Sequence, residues 1–335
     1  DALMSRGLGD VYKRQCGIHV DDGLVLADTG VLDHLSARFT LKVFGEPKHM
    51  LSLKLILSPS RIRVSQQGYV DEILNRYGMS SCSSAPSPTN KQRLIKYDKD
   101  DTTPKVDKKL YQGIIGALLY LARMSRPDIM LAVCQLSRHS SDPREPHYTA
   151  AKRVLRYIQG TRDLGIRFAI TAAMRKRKRI IQVFTDADWA GNADGRKSVS
   201  GVLVCLDGNL IAWRSKTQKC VALSSCESEL YAAVEGIREA LWLYNFLDEI
   251  RVQVQLPIQL YMDAQSAEKV LSTKSFRDGT KHVQTKHYFV RDLVQEGKVN
   301  IIDIDTTNQV ADILTKPTTG TEFTRNRDRV VESTK

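Results

Sequence analysis

Hydrophobic and polar residues alternate in the first part of the chain as they do in β-strands. The runs FTLKVFG, HMLSLKLILS and RIRVSQQGYV each switch between apolar and polar positions, with the period of two that gives a strand one apolar face. The overlapping run YVDEILNRYGM instead predicts a short helix that ends at Gly78, a residue suited to a helix C-terminus. Residues 16–73 therefore predict short strands and turns that lead into a helix.

Apolar residues recur at spacings of three and four from about residue 108 to residue 160, which predicts a mostly helical block. The block contains LYQGIIGALLYLARM, RPDIMLAVCQLSRHS and PHYTAAKRVLRYIQG, and prolines lie near the expected helix starts, where they are tolerated. The stretch SSCSSAPSPTNKQR before it has the composition of a loop or linker. The run RKRKR after it, residues 175–179, suits a solvated spacer, a nuclear address or a phosphate contact.

From residue 180 onward, strands and helices are predicted in alternation. The runs IIQVFTDADWAG and VSGVLVCLDGNLIAWRS predict strands, with a hairpin at Asp207 and Gly208, and KCVALS predicts a further strand. Ser224, with Glu227 three residues later, marks the start of a long helix. LPIQLYMDAQSA and KVNIIDIDT then predict strands separated by the helix TKHYFVRDLVQEG, and NQVADILTK predicts a closing helix. Three antiparallel strands followed by alternating helix and strand form an α/β layout whose later strands run parallel.

Composition narrows the class of protein and of partner. Lys and Arg outnumber Asp and Glu by 50 to 38 in the 335 residues, and the resulting net charge of +12 favours a polyanionic partner such as nucleic acid. No stretch approaches the 18 uninterrupted apolar residues of a membrane span, and the first 15 residues lack the apolar region of a secretory signal. The six scattered cysteines suggest reduced, buried thiols rather than disulfides or a zinc site.

Four acidic residues of the last block occupy informative positions. Asp186 and Asp263 end predicted strands, Glu229 lies in the first turns of the long helix, and Asp312 begins the closing helix. The carboxyl ends of strands border the crevice of an open α/β sheet, so these acids can meet. Clustered carboxylates need cations, and Mg²⁺ prefers such ligands. Each acid alone also suits a turn former, a helix cap or a solvated position, and the helical spacing does not decide between Glu227 and Glu229.

Two adjacent acids near the start of the chain raise a separate alternative. Asp21 and Asp22 lie between the apolar runs that end at Val20 and begin at Leu24. They suit a plain hairpin turn, because Asp and Gly favour tight connections. They equally suit a turn that presents carboxylates to a metal ion bound to a substrate phosphate.

The ordered motifs of this chain resemble the C-terminal part of copia-type retrotransposon Pol polyproteins, in which the end of a reverse transcriptase precedes a ribonuclease H domain. The resemblance covers roughly residues 16–316. It rests on VDDGLVLA, YQGIIGALLYLARMSRPDIMLAV, LSRHSSDPREPHYTAAKRVLRYIQGTRDLGIRF, FTDADWAGNADGRKSVSGVLV, VALSSCESELYAA, YMDAQSA, TKHYFVRD and QVADILTK.

The resemblance implies α/β and α+β folds, with a ribonuclease H-like mixed sheet behind a truncated polymerase palm and a mostly helical thumb or connection region. It divides the chain into six parts: a leader that matches nothing in the family, as an assembly or cloning artefact would (1–15), a palm remnant (16–73), the thumb or connection region (74–170), a basic linker (171–179), the ribonuclease H domain (180–316) and a polar tail (317–335).

The resemblance also implies roles for individual residues. Its ribonuclease H acids match Asp186, Glu229, Asp263 and Asp312, which favours Glu229 over Glu227 as a metal ligand. Asp21 and Asp22 match two carboxylates of the polymerase site, with His19 where tyrosine is usual, and no earlier strand supplies the third, so no DNA synthesis is expected from this chain alone. Candidate nucleic-acid contacts are Arg196, Lys197, Ser198, Lys216, Lys286 and His287, and His287 is also a candidate proton shuttle.

The implied activity is hydrolysis of the RNA strand of RNA–DNA hybrids with two Mg²⁺ ions, for which Mn²⁺ can substitute. The implied partners are the hybrid and the N-terminal reverse transcriptase portion of the polyprotein, with no membrane, in a cytoplasmic virus-like particle or the nucleus. Departures such as Cys226 and Leu230 beside Glu229 leave open a decayed, catalytically silent nucleic-acid-binding remnant. An integrase-like enzyme is opposed by the order of the acids and by the lack of a His/Cys zinc module.

Overall fold

The computed structural model describes residues 15–26, 29–90, 94–98, 100–170, 174, 178–191, 194–263 and 281–333, with the backbone alone at 15, 29, 281–285 and 287. Among these residues, the first half forms the strands β1 (Gln15–His19), β2 (Asp22–Leu26), β3 (His49–Met50), β4 (Leu53–Ser58), β5 (Arg61–Ser65) and β6 (Leu164–Ala169). Its helices are α1 (Thr29–Ser36), α2 (Gln67–Arg76), α3 (Lys108–Met124), α4 (Met130–Ser137) and α5 (Glu145–Gly160).

The second half adds six strands and three helices within the described residues. The strands are β7 (Arg179–Asp188), β8 (Val199–Leu206), β9 (Asn209–Thr217), β10 (Val254–Met262), β11 (Val299–Asp303) and β12 (Glu332–Ser333). The helices are α6 (Ser225–Glu249), α7 (Lys281–Gln295) and α8 (Gly320–Val330). Two short 3₁₀ segments follow β11: Thr306–Asn308, which ends at the first residue of NQVADILTK, and Val310–Leu314, which lies inside that motif in place of the predicted closing helix.

The first large sheet has the strand order β12-β6-β5-β4-β3, and all of its pairs are antiparallel. It joins distant parts of the chain, because β5 pairs with β6 across about a hundred residues, Arg63 opposite Arg167. Helix α2 leaves this sheet, and Gly78 follows it with φ of +66°. The predicted helix end at Gly78 is therefore confirmed, since glycine adopts this left-handed conformation without strain.

The second large sheet has the order β11-β10-β7-β8-β9. Strands β7, β8 and β9 pair antiparallel, whereas β10 and β11 run parallel to β7 and to each other. Helix α6 connects β9 to β10, and the segment that contains α7 connects β10 to β11. The expectation of mixed α/β content with a mixed sheet is confirmed.

Turn chemistry explains one hairpin of this sheet, whereas the strands predicted for FTLKVFG (residues 39–45) and for KCVALS are wrong. Asp207 and Gly208 join β8 to β9 with φ of 52° and 79°, the positive values of a tight two-residue hairpin. The run KCVALS, residues 219–224, forms no strand. Instead, the hydroxyl of Ser224 accepts a hydrogen bond from Glu227 N and caps α6, so the end of this run serves the helix that follows.

Two hydrophobic cores cover the two faces of the second sheet. Val202 and Val204 of β8 belong to the core formed with α6 and α7. Leu203, which points the other way, belongs to a core shared with α3, α4 and α5. Across this second interface Trp213 Nε1 donates to Ala122 O at 2.8 Å. The helical block and the second sheet therefore share a core, and residues 180–316 do not bury both sheet faces on their own.

The predicted tail and linker boundaries differ from the structure. Residues 320–330 form α8, and Phe323 and Val330 are buried in the core shared with the helical block. These apolar residues are seven apart, so they share one face of a helix whose remaining residues are polar, which hides the pattern in the composition. Arg179 lies in β7 rather than in a linker and pairs with Asp207 at 2.9 Å, while residues 1–14 and 175–177 lie outside the described residues.

The cysteines and the apolar character of the helices are both the subject of expectations from composition. All six cysteines are free, but Cys16 and Cys220 are exposed rather than buried. None of the helices in the described ranges combines the length and the apolar character needed to cross a membrane.

The contact between α6 and β7 leads to a stability prediction. A Cβ at Gly236 would lie 2.6 Å from Thr185 Cγ2 and 2.8 Å from Val183 Cγ1, and both neighbours are fully buried. Gly236→Ala should lower the free energy of unfolding by about 1–3 kcal/mol, because overpacking outweighs the gain of about 1 kcal/mol in helix propensity. Urea denaturation of the full chain measures this difference.

Gly116→Ala is the matched control for that substitution. Gly116 is an exposed glycine inside α3, and a Cβ there meets nothing within 4 Å. This variant should be more stable than the wild type by up to about 1 kcal/mol. A Gly236→Ala protein as stable as Gly116→Ala would contradict the close packing of α6 on β7.

Candidate active site

Asp186 lies near the end of β7, on the central strand of the second sheet, and is 6% exposed. It pairs with Gly201 of β8. A Cβ at Gly201 would lie within 3.0 Å of Thr315, Ala311 and Leu314, which belong to or follow the second 3₁₀ segment. Glycine at this position therefore lets that segment approach the sheet closely, and the approach brings Asp312 to Asp186.

Glu229 reaches the same place from the first turns of α6. Its Oε1 accepts a hydrogen bond from Ala187 N at 3.1 Å, directly after Asp186. The side chain is buried, and its second oxygen, Oε2, has no hydrogen-bond partner among the described residues. An unpartnered carboxyl oxygen in a buried position is costly, so a bound cation or a proton would stabilise this atom.

The structure distinguishes Glu227 from Glu229. Glu227 accepts hydrogen bonds from Leu223 N at 2.7 Å and from the Tyr231 hydroxyl at 2.9 Å. Its carboxylate therefore closes the N-terminus of α6 and orients Tyr231, as in a capping box. Of the two glutamates, only Glu229 lies with Asp186.

Asp312 completes the buried group through two residues that follow it. Lys316 Nζ lies 2.7 Å from Asp312 Oδ1 and 3.2 Å from Asp186 Oδ1. The Thr315 hydroxyl donates a hydrogen bond to Asp186 Oδ2. Neither Thr315 nor Lys316 is among the predicted site residues. The spacing of four between Asp312 and Lys316 is the sequence signal that could have identified the lysine.

Asp263 directly follows β10, which lies beside β7 in the sheet. Tyr261 pairs with Phe184, so Asp263, two residues later, is level with Asp186. It is exposed and precedes residues 264–280, which lie outside the described residues. The four predicted acids thus lie at one end of the central strands, three of them buried and Asp263 at the surface.

The carboxyl groups alter one another's pKa values. Burial, and then the charge of Asp186, raises the pKa of Glu229 to about 8, against the hydrogen bond from Ala187. The same two causes raise the pKa of Asp312 to about 6. Burial lowers the pKa of Lys316, but the carboxylates of Asp186 and Asp312 outweigh it, so the net shift is upward and the lysine is a cation.

The carboxylate oxygens of this acid group are chemically suited to bind a hard divalent cation. Carboxylate oxygens are the ligands that Mg²⁺ prefers, and the unpartnered Oε2 of Glu229 is available to such an ion. In the described part of the chain, however, no three His, Cys, Asp or Glu side chains converge closely enough to hold a metal ion. The cation that bridges Asp186 and Asp312 is the ammonium of Lys316.

The two acids near the start of the chain form a hairpin turn. Strands β1 and β2 pair only with each other among the described strands, with His19 opposite Asp22. Asp21 and Asp22 are exposed at the tip, and no third described metal-binding side chain joins them. The hairpin alternative therefore describes their local geometry.

The candidate nucleic-acid contacts have different surroundings. Arg196 is exposed and Lys197 partly exposed, but Ser198 is fully buried and its hydroxyl accepts a hydrogen bond from Ala190 N, so the prediction that Ser198 contacts a phosphate is wrong. The side chain of His287 lies outside the described residues. Lys216 and Lys286 line a cleft of about 110 Å³ with three other cations, Arg214, Lys219 and Arg238.

Lys286 is held over an aromatic ring in that cleft. Its Nζ lies 3.5 Å from the centroid of the Tyr231 ring, a cation–π contact. Lys216 is 3.6 Å from Glu235, which also pairs with Arg214 at 3.3 Å. The cleft is thus basic, but part of its charge is already neutralised.

Comparison with known proteins gives close relatives by sequence. No family model matches the chain. The retrovirus-related Pol polyprotein from transposon RE1 of Arabidopsis thaliana is 33% identical over 96% of this chain and 22% of that protein. The corresponding polyprotein from transposon TNT 1-94 of Nicotiana tabacum is 32% identical over 89% of this chain and 23% of that protein. The chain thus spans about a fifth of the length of these curated relatives.

Similarity to solved structures is more distant. LC11-RNase H1, isolated from compost, aligns with a TM-score of 0.32 and 16% identity over 41% of this chain and 92% of that chain. The foamy viral protease-reverse transcriptase in complex with an RNA/DNA hybrid aligns with a TM-score of 0.43 and 12% identity, over 87% of this chain and 36% of that one.

The raised pKa of Glu229 predicts a pH-dependent stability. Between its ordinary value of 4.5 and about 8, the folded chain holds a proton that the unfolded chain has released. The contribution of this group to stability is therefore complete below pH 4.5 and is lost as the pH rises through about 8. Glu229→Gln, which imitates the protonated form, should gain on the order of 2 kcal/mol over the wild type between pH 5 and pH 8.

Urea denaturation of both proteins at several pH values, in the presence of EDTA, measures this gain. The control is Glu249→Gln, at an exposed position at the far end of α6, which should follow the wild type at every pH. Identical pH profiles for Glu229→Gln and the wild type would show that this carboxyl group is not buried among the other acids.

Proposed function

This chain belongs to the family of copia-type retrotransposon Pol polyproteins, and on that basis we propose that its second sheet carries a ribonuclease H site that hydrolyses the RNA strand of an RNA–DNA hybrid. The proposal concerns the roughly one-fifth of the relatives' length that this chain spans. The fold agrees with it in having a mixed sheet whose central strands end at the acid group.

The single observation that supports the proposal best is the meeting of acids from distant parts of the sequence. Asp186, Glu229 and Asp312 are buried together, and Asp263 lies level with Asp186 on the neighbouring strand. Burying like charges is unfavourable unless a ligand or a cation compensates for them. A group of this kind is more typical of a reactive site than of a stabilising contact.

We assign Asp186, Glu229, Asp263 and Asp312 as the residues that would hold Mg²⁺, or Mn²⁺ in its place. Two bound ions would supply an activated water and stabilise the leaving oxygen of the phosphodiester. The chain's own groups set up the site for this chemistry. The Thr315 hydroxyl orients Asp186, the Ala187 amide orients Glu229, and the unpartnered Glu229 Oε2 provides a further donor.

Contacts to the hybrid are assigned to basic side chains near this end of the sheet. Arg196 and Lys197 follow β7, and Lys216 and Lys286 line the basic cleft beside α6. Phosphate contacts of this kind position a nucleic acid without reading its sequence. A ribonuclease H needs such positioning, with recognition of the 2′-hydroxyl to identify the RNA strand.

We propose further that this chain alone makes no DNA. Asp21 and Asp22 would be two ligands of a polymerase site, and no third described carboxylate joins them. The N-terminal reverse transcriptase portion of the polyprotein is the partner that would complete such a site. We place the working complex in a cytoplasmic virus-like particle or in the nucleus, where retrotransposon hybrids would be processed.

A second candidate function is that of a catalytically silent nucleic-acid-binding remnant. The observation that favours it is the position of Lys316, whose ammonium lies between two of the acids. Both candidates predict salt-sensitive binding to nucleic acid. Only the nuclease predicts cleavage that depends on a divalent cation.

Cleavage of a labelled RNA–DNA hybrid by the full chain in Mg²⁺ tests the nuclease. Asp263→Asn should reduce the rate at least about a hundredfold, because loss of a metal ligand exceeds the effect of losing its supporting contacts. Asp248→Asn, an exposed position at the far end of α6, is the matched control and should cleave like the wild type. Duplex RNA and duplex DNA should remain intact.

A folded wild-type chain that binds the hybrid but leaves it uncut in both Mg²⁺ and Mn²⁺ would overturn the nuclease proposal in favour of the silent remnant. Cleavage that persists unchanged in Asp263→Asn would instead remove this residue from the site.

Binding measurements test the basic cleft separately from cleavage. Lys286→Ala should weaken binding of the hybrid severalfold and reduce the slope of log affinity against log salt by about 1, as expected when one phosphate contact is lost. Lys298→Ala, an exposed lysine that pairs with Glu296 at 2.8 Å, is the control and should leave the slope unchanged. Equal slopes for both variants and the wild type would exclude Lys286 as a phosphate contact.

A further inference from the structure

Lys316 enters the acid cluster from its solvent side. Its side chain is 39% exposed, whereas those of Asp186 and Asp312 are 9% and 6% exposed. Its ammonium nevertheless reaches one oxygen of each, at 3.2 Å and 2.7 Å. The lysine is therefore the most exposed of these three side chains, and its ammonium already contacts one oxygen of each carboxylate.

The charge of Lys316 compensates for these two acids. Among the described residues, it is the only cation within ion-pair distance of Asp186 or Asp312. Thr315 contributes only a neutral hydroxyl to Asp186. Glu229 is neutral or negative in either protonation state, so it supplies no positive charge. Removal of the lysine charge would leave two buried carboxylates close together without a counter-ion.

We propose that Lys316 is a built-in counter-ion that holds the acid cluster together and that a divalent cation must displace to bind there. The inference rests on the proposed function only in that the same acids would bind the ion. An ammonium and a divalent cation compete for the same carboxylate oxygens, and two cations bound to the same carboxylates repel each other. The lysine stem is flexible and partly exposed, so displacement can carry the ammonium into solvent without moving the backbone.

The proposal predicts opposite effects of Lys316→Met on stability and on metal binding. In EDTA, the variant should melt several degrees below the wild type, because the acids lose their counter-ion. Its affinity for Mn²⁺ should rise at least about tenfold, because the competing charge is gone. The rise in melting temperature on addition of Mg²⁺ should therefore be larger in the variant than in the wild type.

The experiment uses the full chain, with Mn²⁺ binding followed by electron paramagnetic resonance of the free ion and melting followed with and without Mg²⁺. Lys316→Arg retains the charge and should resemble the wild type. Lys298→Met removes an exposed lysine that pairs with Glu296 rather than with the acid cluster, and it should change neither the Mn²⁺ affinity nor the melting temperature. If Lys316→Met does not fold in EDTA, Lys316→Gln gives the same comparison with a smaller change in polarity.

The outcomes separate this inference from the proposed nuclease. If the neutral variants bind Mn²⁺ no more tightly than a wild type that still cleaves the hybrid, the inference is wrong and the nuclease stands. If neither the wild type nor the neutral variants bind Mn²⁺, both are overturned. Tighter binding in the neutral variants, with lower stability in EDTA, is the result that supports Lys316 as the competing cation.

Discussion

Repulsion among buried carboxyl groups is the constraint that organises the second half of this protein. Asp186, Glu229 and Asp312 come from a strand, a helix and a 3₁₀ segment, and burial together with mutual charge raises the pKa values of Glu229 and Asp312. The surrounding residues reduce the free-energy cost of burying these carboxyl groups close together. Gly201 leaves room for the 3₁₀ segment, the Ala187 amide and the Thr315 hydroxyl donate hydrogen bonds, and Lys316 supplies a charge.

The acid group lies on the second sheet, and helices pack against both faces of that sheet. Helices α6 and α7 pack on one face, while α3, α4 and α5 share a core with the other. Helix α8, from the end of the chain, adds Phe323 to that second core. The helical block that contains α3, α4 and α5 is therefore a structural support of the sheet that carries the acid site.

The first 30 described residues show the opposite character. The hairpin of β1 and β2 pairs with no other described strand, and it exposes large apolar side chains such as Ile18, Val20 and Leu26. Phe39 and Phe44, shortly after, are exposed as well. These large apolar side chains therefore remain in contact with solvent among the described residues.

Local patterns in the sequence determined most of the elements, because strand alternation, helix caps and the Asp207-Gly208 turn depend on neighbouring residues alone. The family motifs also selected Glu229 over Glu227. Only the tertiary structure decided what surrounds these groups. Lys316 and Thr315 meet Asp186 across about 130 residues, Ser198 is buried, and the polar tail folds into the core. Burial and ion pairing depend on which distant segments pack together, and a local sequence pattern does not predict such contacts.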